Sequence, residues 1–245
     1  MREGLEKGIA VNIRAHRIRV DVWIDYVCPY SWIHVATLDA FRAVYGPRVE
    51  IRWHPLELRP EPVPLESAES AARHTTWKET IEPLAFERGA PIRMPRVSAR
   101  SRLAFEAACW AADRGYFDDV HRALFAGYFM RGEDIGDIDT LVRVLSSHID
   151  DADELRHALE SGWYANRVER HKAMAARLGV DGVPFTVVSR VEVPEERSAQ
   201  AHARAHVSTA LGNPLHRPVA LRGVAPLGHF HEAVGTLFPE LMMEA

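Results

Sequence analysis

The chain has 245 residues, 47% of them apolar and 26% charged. These proportions exclude a disordered chain, a collagen-like chain and a coiled-coil rod. Against 34 Asp and Glu stand 30 Lys and Arg, a net charge of −4, whereas a protein that mainly grips phosphates needs a basic excess, so nucleic acid is excluded as the main partner.

No run approaches the ~18 consecutive apolar residues of a membrane helix. The charged stretch from Met1 to Val20 lacks the apolar centre of a signal peptide. Together these predict a cytoplasmic protein with no membrane partner. The two cysteines, Cys28 and Cys109, suffice neither for a disulfide scaffold nor for a four-thiolate metal site.

Residues Ile18 to Tyr26 alternate, with Ile18, Val20, Val22 and Ile24 against Arg19, Asp21 and Asp25, which predicts a strand. Beyond Cys28-Pro29, the spacing of Ile33, Val35, Leu38, Phe41 and Val44 predicts a helix ending at Gly46-Pro47. Val49 to Trp53 alternates again. A helix between two strands is a βαβ unit, which favours parallel pairing. A proline-rich stretch from Arg59 to Pro64 leads into six segments of helical periodicity: Glu66–Phe86, Arg100–Arg114, Phe117–Met130, Asp137–Ile149, Asp151–Glu160 and Trp163–Leu178. Glycines stand between them as stops, and Asp137 and Asp151 are suitable N-caps. Strand character returns at Phe185–Val188 and at Val219–Arg222, and a last helix opens at Pro226. The link from Arg190 to Pro218 is long for a compact domain and is expected to hold an extra helix or to be mobile. The expected α/β fold is a first sheet part at 18–62, an all-helical insertion at 63–179 and a second sheet part at 180–245. The long insertion falls at about 190–218, and the sheet is four-stranded and mixed.

Cys28 falls between a strand and the first turn of a helix. Unpaired N–H groups and the positive end of the helix dipole favour a thiolate, so its pKa is expected to be depressed. Pro29 suits the first helical position, and Ser31 is three residues on, where its hydroxyl can face the sulfur. Gly182-Val183-Pro184 opens a strand, where Pro cannot donate to a ladder and the X–Pro bond is a candidate for cis.

Strand, Cys-Pro-Tyr-Ser, helix, helical insertion and Gly-Val-Pro-Phe at a strand start together resemble the DsbA-type thioredoxin fold. The stretches Arg102–Ala108, Leu124–Phe129, Gly132–Asp137 and Ala175–Phe185 are similar to its FrnE-like branch. The resemblance covers about Val20 to Val188 and resumes at Val219. It implies a thiol–disulfide oxidoreductase or isomerase with Cys28 as nucleophile and Val183 pairing its backbone with the bound partner. Ser31 stands where the family has its resolving Cys, and a hydroxyl cannot displace sulfur from a mixed disulfide. The implied route is therefore monothiol. Catalysis would rest on Cys28 and Ser31, and substrate binding on Pro29, Tyr30, Trp32, Val183 and Pro184. No cofactor would be held permanently, and glutathione or another small thiol would act as cosubstrate. The partner would be a disulfide-containing protein or a small thiol, and the oligomeric state is open, a homodimer being one option.

Asp25 to Trp32 is also similar to the Ser-Pro-Tyr-Ser-Trp motif of kappa-class glutathione transferases and 2-hydroxychromene-2-carboxylate isomerases, with Cys28 in place of the first Ser. Those enzymes carry a Ser-Asp pair after the last strand, where this chain has Arg222-Gly223-Val224. A glutathione-dependent transferase or isomerase acting on a small molecule is the alternative reading, and a non-catalytic thioredoxin-like binding module is a third.

The remaining residues attract simpler readings. Cys109 lies on an apolar helical stripe and is expected in the core. His34 reads as a half-buried helix residue and Trp53 as core. His202 and His206 have i, i+4 spacing, but an Ala-rich solvated helix explains them without a metal. The acidic run from Gly132 to Asp139 does not fit an EF-hand. No metal site is expected.

Overall fold

The computed structural model describes residues 16–192 and 217–242. Most of the 190–218 stretch, including His202 and His206, lies outside the described residues. Strand β1 (His16–Ile24) is followed by helix α1 (Pro29–Tyr45) and strand β2 (Val49–Pro55). β1 and β2 pair in parallel, Ile18 opposite Val49 and Ile24 opposite Pro55. β3 (Phe185–Glu192) runs antiparallel to β1 and to β4 (Val219–Arg222), so the sheet is mixed with strand order β2-β1-β3-β4. β3 is longer than its apolar run because His16 to Arg19 of β1 offer pairing partners for Ser189 to Glu192. Backbone hydrogen bonding, not side-chain pattern, carries that half of the strand.

The pleat divides β1 between two layers. Val20 and Val22 face α1 and the final helix α9 (Leu227–Leu237), where Phe41 meets Phe230 at 5.1 Å between ring centroids. Trp23 faces the other way and forms a smaller cluster with Ala175, Val180 and Phe185. Period-2 alternation thus supplies both layers.

The segments between β2 and β3 are helical. One run comprises α2 (Ala71–Thr76), a π turn (Trp77–Ile81) and α3 (Glu82–Glu87). It begins later than the periodicity from Glu66 suggests, because Ser70 caps it by accepting from the Arg73 N–H at 3.3 Å. Next come α4 (Arg102–Arg114) and α5 (Phe117–Ala126), the latter running into a second π turn (Gly127–Arg131). α6 (Ile138–Leu145), α7 (Ala152–Glu160) and α8 (Ala165–Arg177) complete the set. Asp137 and Asp151 cap α6 and α7, accepting from the Thr140 and Glu154 N–H groups at 2.8 and 2.7 Å. Gly115, at φ 81°, ends α4 in the left-handed region that a side chain disfavours.

One apolar core runs from the sheet into these helices. Tyr26, just past β1, packs on Phe105 of α4 at 5.0 Å and on Phe125 of α5 at 4.8 Å. Trp110, Phe125 and Phe129 continue it. Cys109 belongs to this core at 7% exposure, and half-buried Trp53 packs against it, its ring 4.3 Å from that of His121. Among the described residues no helix is long and apolar enough to cross a membrane.

Because Phe41 is fully buried between α1 and α9, Phe41→Ala is predicted to cost about 3–5 kcal/mol. Urea unfolding followed by circular dichroism would check this. A loss below about 1 kcal/mol would mean that the α1–α9 layer is not the packed unit described.

Candidate active site at the start of helix 1

The turn Asp25-Tyr26-Val27 leaves β1 and delivers Cys28 as N-cap of α1, in extended conformation (φ −90°, ψ 115°). Pro29 takes the first helical position, where its missing N–H leaves nothing unpaired. The Cys28 carbonyl accepts the Ser31 and Trp32 N–H groups at 3.0 and 3.2 Å, which starts the helix.

The sequence-distant motif meets this turn. Cys28 Sγ lies 3.7 Å from the Val183 carbonyl oxygen, close enough for the thiol to donate. The Val183–Pro184 peptide is cis, as is Glu61–Pro62. Behind it, the Pro184 carbonyl accepts the Gly223 N–H at 2.9 Å, and Arg222 pairs with Asp181 at 2.6 Å. At the place of the transferases' Ser-Asp pair, this chain has a backbone bond and a surface ion pair.

The thiol environment corrects one expectation. Cys28 is only 3% exposed, and burial pushes its pKa up to about 11. The Ser31 hydroxyl and the Ser31 and Tyr30 N–H groups work in the opposite direction, while the nearby Asp25 charge adds to the rise. The helix-terminus effect thus has the expected sign but is outweighed by desolvation. The thiol, not the thiolate, is the resting form at neutral pH.

Asp25 is the site residue that sequence reading passed over. It is fully buried. Its carboxylate accepts the Leu58 N–H at 2.7 Å, the Val27 N–H at 3.2 Å and a hydrogen bond from the Ser101 side chain. Burial raises its pKa to about 6 despite these bonds. Its own N–H donates to Ser31 Oγ at 3.2 Å, which leaves the Ser31 proton available to the Cys28 sulfur. The available signal was an acidic residue near the end of the alternating run, three residues before the Cys.

The other expected residues divide. Pro29 lines a cavity of about 260 Å³ together with Val27. Tyr30 is half-buried beside the thiol, and burial raises its pKa. Trp32 turns away: its indole N–H donates to the Pro91 carbonyl at 2.8 Å and its ring packs on Phe125 at 5.4 Å. It anchors α1 to the helical segments, and the side chain that its indole resembles as a cavity wall is Trp77 instead. His34 is not half-buried but wholly buried, where burial and the Arg88 charge lower its pKa to about 3. Its Nε2 bonds Thr186 Oγ1 at 2.9 Å, tying α1 to β3 two residues beyond Pro184.

Comparisons with known proteins identify the family and the fold. A family described as "DSBA-like thioredoxin domain" matches residues 19–205. The chain belongs to this family. A Bacillus subtilis relative, the uncharacterized protein YwbO, is 29% identical over 182 residues, 72% of this chain and 90% of its own. Three solved structures share the fold. A probable DsbA oxidoreductase from Streptomyces coelicolor has TM-score 0.68 and 21% identity, covering 91% of each chain. A 2-hydroxychromene-2-carboxylate isomerase has TM-score 0.65 and 16% identity, covering 93% of this chain and 99% of its own. The cytosolic disulfide reductase DsbM of Pseudomonas aeruginosa, solved with glutathione, has TM-score 0.55 and 15% identity, covering 71% of this chain and 89% of its own. At these identities the structures attest the fold, and both kinds of enzyme that the motif resembles are among them.

Two predictions follow from the buried groups. With its pKa near 11, Cys28 should be alkylated about tenfold faster for each pH unit between 7 and 10. Iodoacetamide labelling followed by intact mass would show this, and a plateau by pH ~8.5, the free-thiol value, would contradict it. Asp25 has a folded pKa raised from 3.8 to about 6. Its contribution to stability is therefore present below about pH 4 and lost as pH rises through about 6. Relative to Asp25→Asn, the native chain should lose stability over that window in urea unfolding, and parallel curves would refute the assignment.

Proposed function

We propose that the protein is a thiol–disulfide oxidoreductase or isomerase of the FrnE-like branch, cytoplasmic, working through the single thiol of Cys28. The observation that carries this reading is the meeting of Cys28 Sγ with the Val183 carbonyl at 3.7 Å. A nucleophile and a backbone carbonyl that could pair instead with a bound chain or thiol thereby stand side by side.

In this reading the Cys28 thiolate attacks a substrate disulfide. A Cys28–sulfur bond forms, the substrate S–S bond breaks, and the other half leaves as a thiolate. Ser31 carries no sulfur, so a small thiol from solution attacks the mixed disulfide and releases Cys28. The Ser31 hydroxyl, oriented by the Asp25 N–H, hydrogen-bonds the sulfur as charge develops on it. Glutathione is the proposed small thiol, which agrees with its presence in the DsbM structure. Because the resting thiol is protonated, turnover should be slow at neutral pH and should rise as pH increases. The substrate-binding roles go to Pro29, Tyr30, Val183 and Pro184.

The alternative of a glutathione-dependent transferase or isomerase draws on one observation. The cavity beside Pro29 has the walls of a small-molecule site, and a thiol held protonated suits positioning a cosubstrate as well as attack.

Incubation with oxidised glutathione at pH 7 and pH 9, read by intact mass, distinguishes these. One adduct is expected, faster at pH 9, reversed by added thiol and missing from Cys28→Ser. Without an adduct at either pH, the monothiol route fails. Calorimetric binding of reduced glutathione would then favour the transferase, and no binding would leave a non-catalytic module.

A further inference from the structure

The cavity of about 260 Å³ beside the Cys28 turn is near the lower end of small-ligand sites. Val27 and Pro29, on either side of Cys28, form one wall. The two π turns form the opposite walls: Trp77 and Ile81 come from one, Tyr128 and Phe129 from the other, with the Trp77 and Phe129 rings 6.3 Å apart. Such turns are rare insertions in α-helices and recur at functional sites. Here both open on one cavity.

The polar groups in this apolar space are mostly donors. At the rim Arg59 is paired with Glu66 at 3.4 Å, so that charge is answered. Arg73 is not. Its guanidinium donates to Ser98 Oγ at 3.1 Å and to the Pro95 carbonyl at 3.2 Å, both neutral, and it makes no ion pair among the described residues. A cation held only by neutral acceptors calls for an anionic acceptor from outside.

We infer that this cavity selects small disulfides that carry an anionic group on an apolar, ring-sized body, with Arg73 binding the anion and the Trp77 and Phe129 rings flanking the apolar part. The inference rests on the reading of Cys28 as the reacting thiol. The Cys28 sulfur, having lost its proton to solvent, attacks the nearer sulfur of the bound disulfide. The Cys28–sulfur bond forms, the S–S bond breaks, and the departing half takes both electrons and then a proton. A small thiol displaces the bound half and restores Cys28, so one disulfide and one thiol enter and one disulfide and one thiol leave. The cavity adds selection by charge and shape.

Two chromogenic disulfides test this: dithiobis(nitrobenzoate), aromatic and anionic, and dithiodipyridine, aromatic and uncharged. Release of the coloured thiol is measured for the full chain, and the signal of Cys28→Ser is subtracted to remove Cys109. The ratio of anionic to neutral rate should fall about tenfold in Arg73→Gln and return largely in Arg73→Lys. In the native chain the ratio should also fall as salt rises, a readout that needs no variant to fold. A ratio that shifts less than twofold in Arg73→Gln and is insensitive to salt, with Cys28-dependent release from both disulfides, overturns the inference and leaves the monothiol reading standing. No Cys28-dependent release from either disulfide overturns both.

Discussion

The geometry of the site depends on one buried carboxylate. Asp25 sits beneath the Cys28 turn with no ion-pair partner among the described residues, held by the N–H groups of Leu58 and Val27 and by Ser101. Leu58 belongs to the connection after β2, and Ser101 stands immediately before α4. The same residue therefore joins the end of β1, the approach to the cavity and the first long helix beyond it. Through its N–H it also sets the Ser31 hydroxyl. Hydrogen bonds do not fully offset the desolvation of such a group, and stability is traded for a fixed turn. The arrangement of Cys28, Ser31 and Pro29 follows from that turn.

A second tie fixes the other half of the site. His34 and Thr186 join α1 to β3 within the core. Together with the β1–β3 ladder this bond sets how far the Val183 carbonyl stands from the sulfur. The two halves of the motif come from opposite ends of the helical segments, yet each is anchored to the same strand. Cys28 and the Val183 carbonyl are thus both held on rigid elements.

Much of the fold was legible in the sequence. Alternation in β1 and β2, the apolar spacing of α1, and the Asp137 and Asp151 caps are local signals, and each gave its element. The pairing of Cys28 with Val183-Pro184 was legible through the family pattern. What was not legible depended on distant neighbours. Whether Cys28 is a thiolate turns on how much chain covers it, and the covering residues are scattered from Asp25 to Val183. Trp32 and Trp77 look alike as exposed-or-buried aromatics in a one-dimensional pattern. Only the fold shows that one donates to Pro91 while the other lines the cavity. The two π turns leave no mark in the apolar periodicity, which continues through both.

Those turns have a consequence for how the protein can change. A π turn is a helix that has accepted one extra residue. Deleting that residue returns the run to α-helical winding and rotates everything beyond it by roughly a quarter turn, about 100°. Such a deletion within Trp77–Ile81 or Gly127–Arg131 would swing a different face toward the thiol while leaving β1, α1 and the Asp25 turn as they are. The Cys28 turn and the cavity walls opposite it are thus encoded in separable stretches of chain. Single-residue length changes far from the cysteine in sequence can therefore reshape those walls without touching the turn.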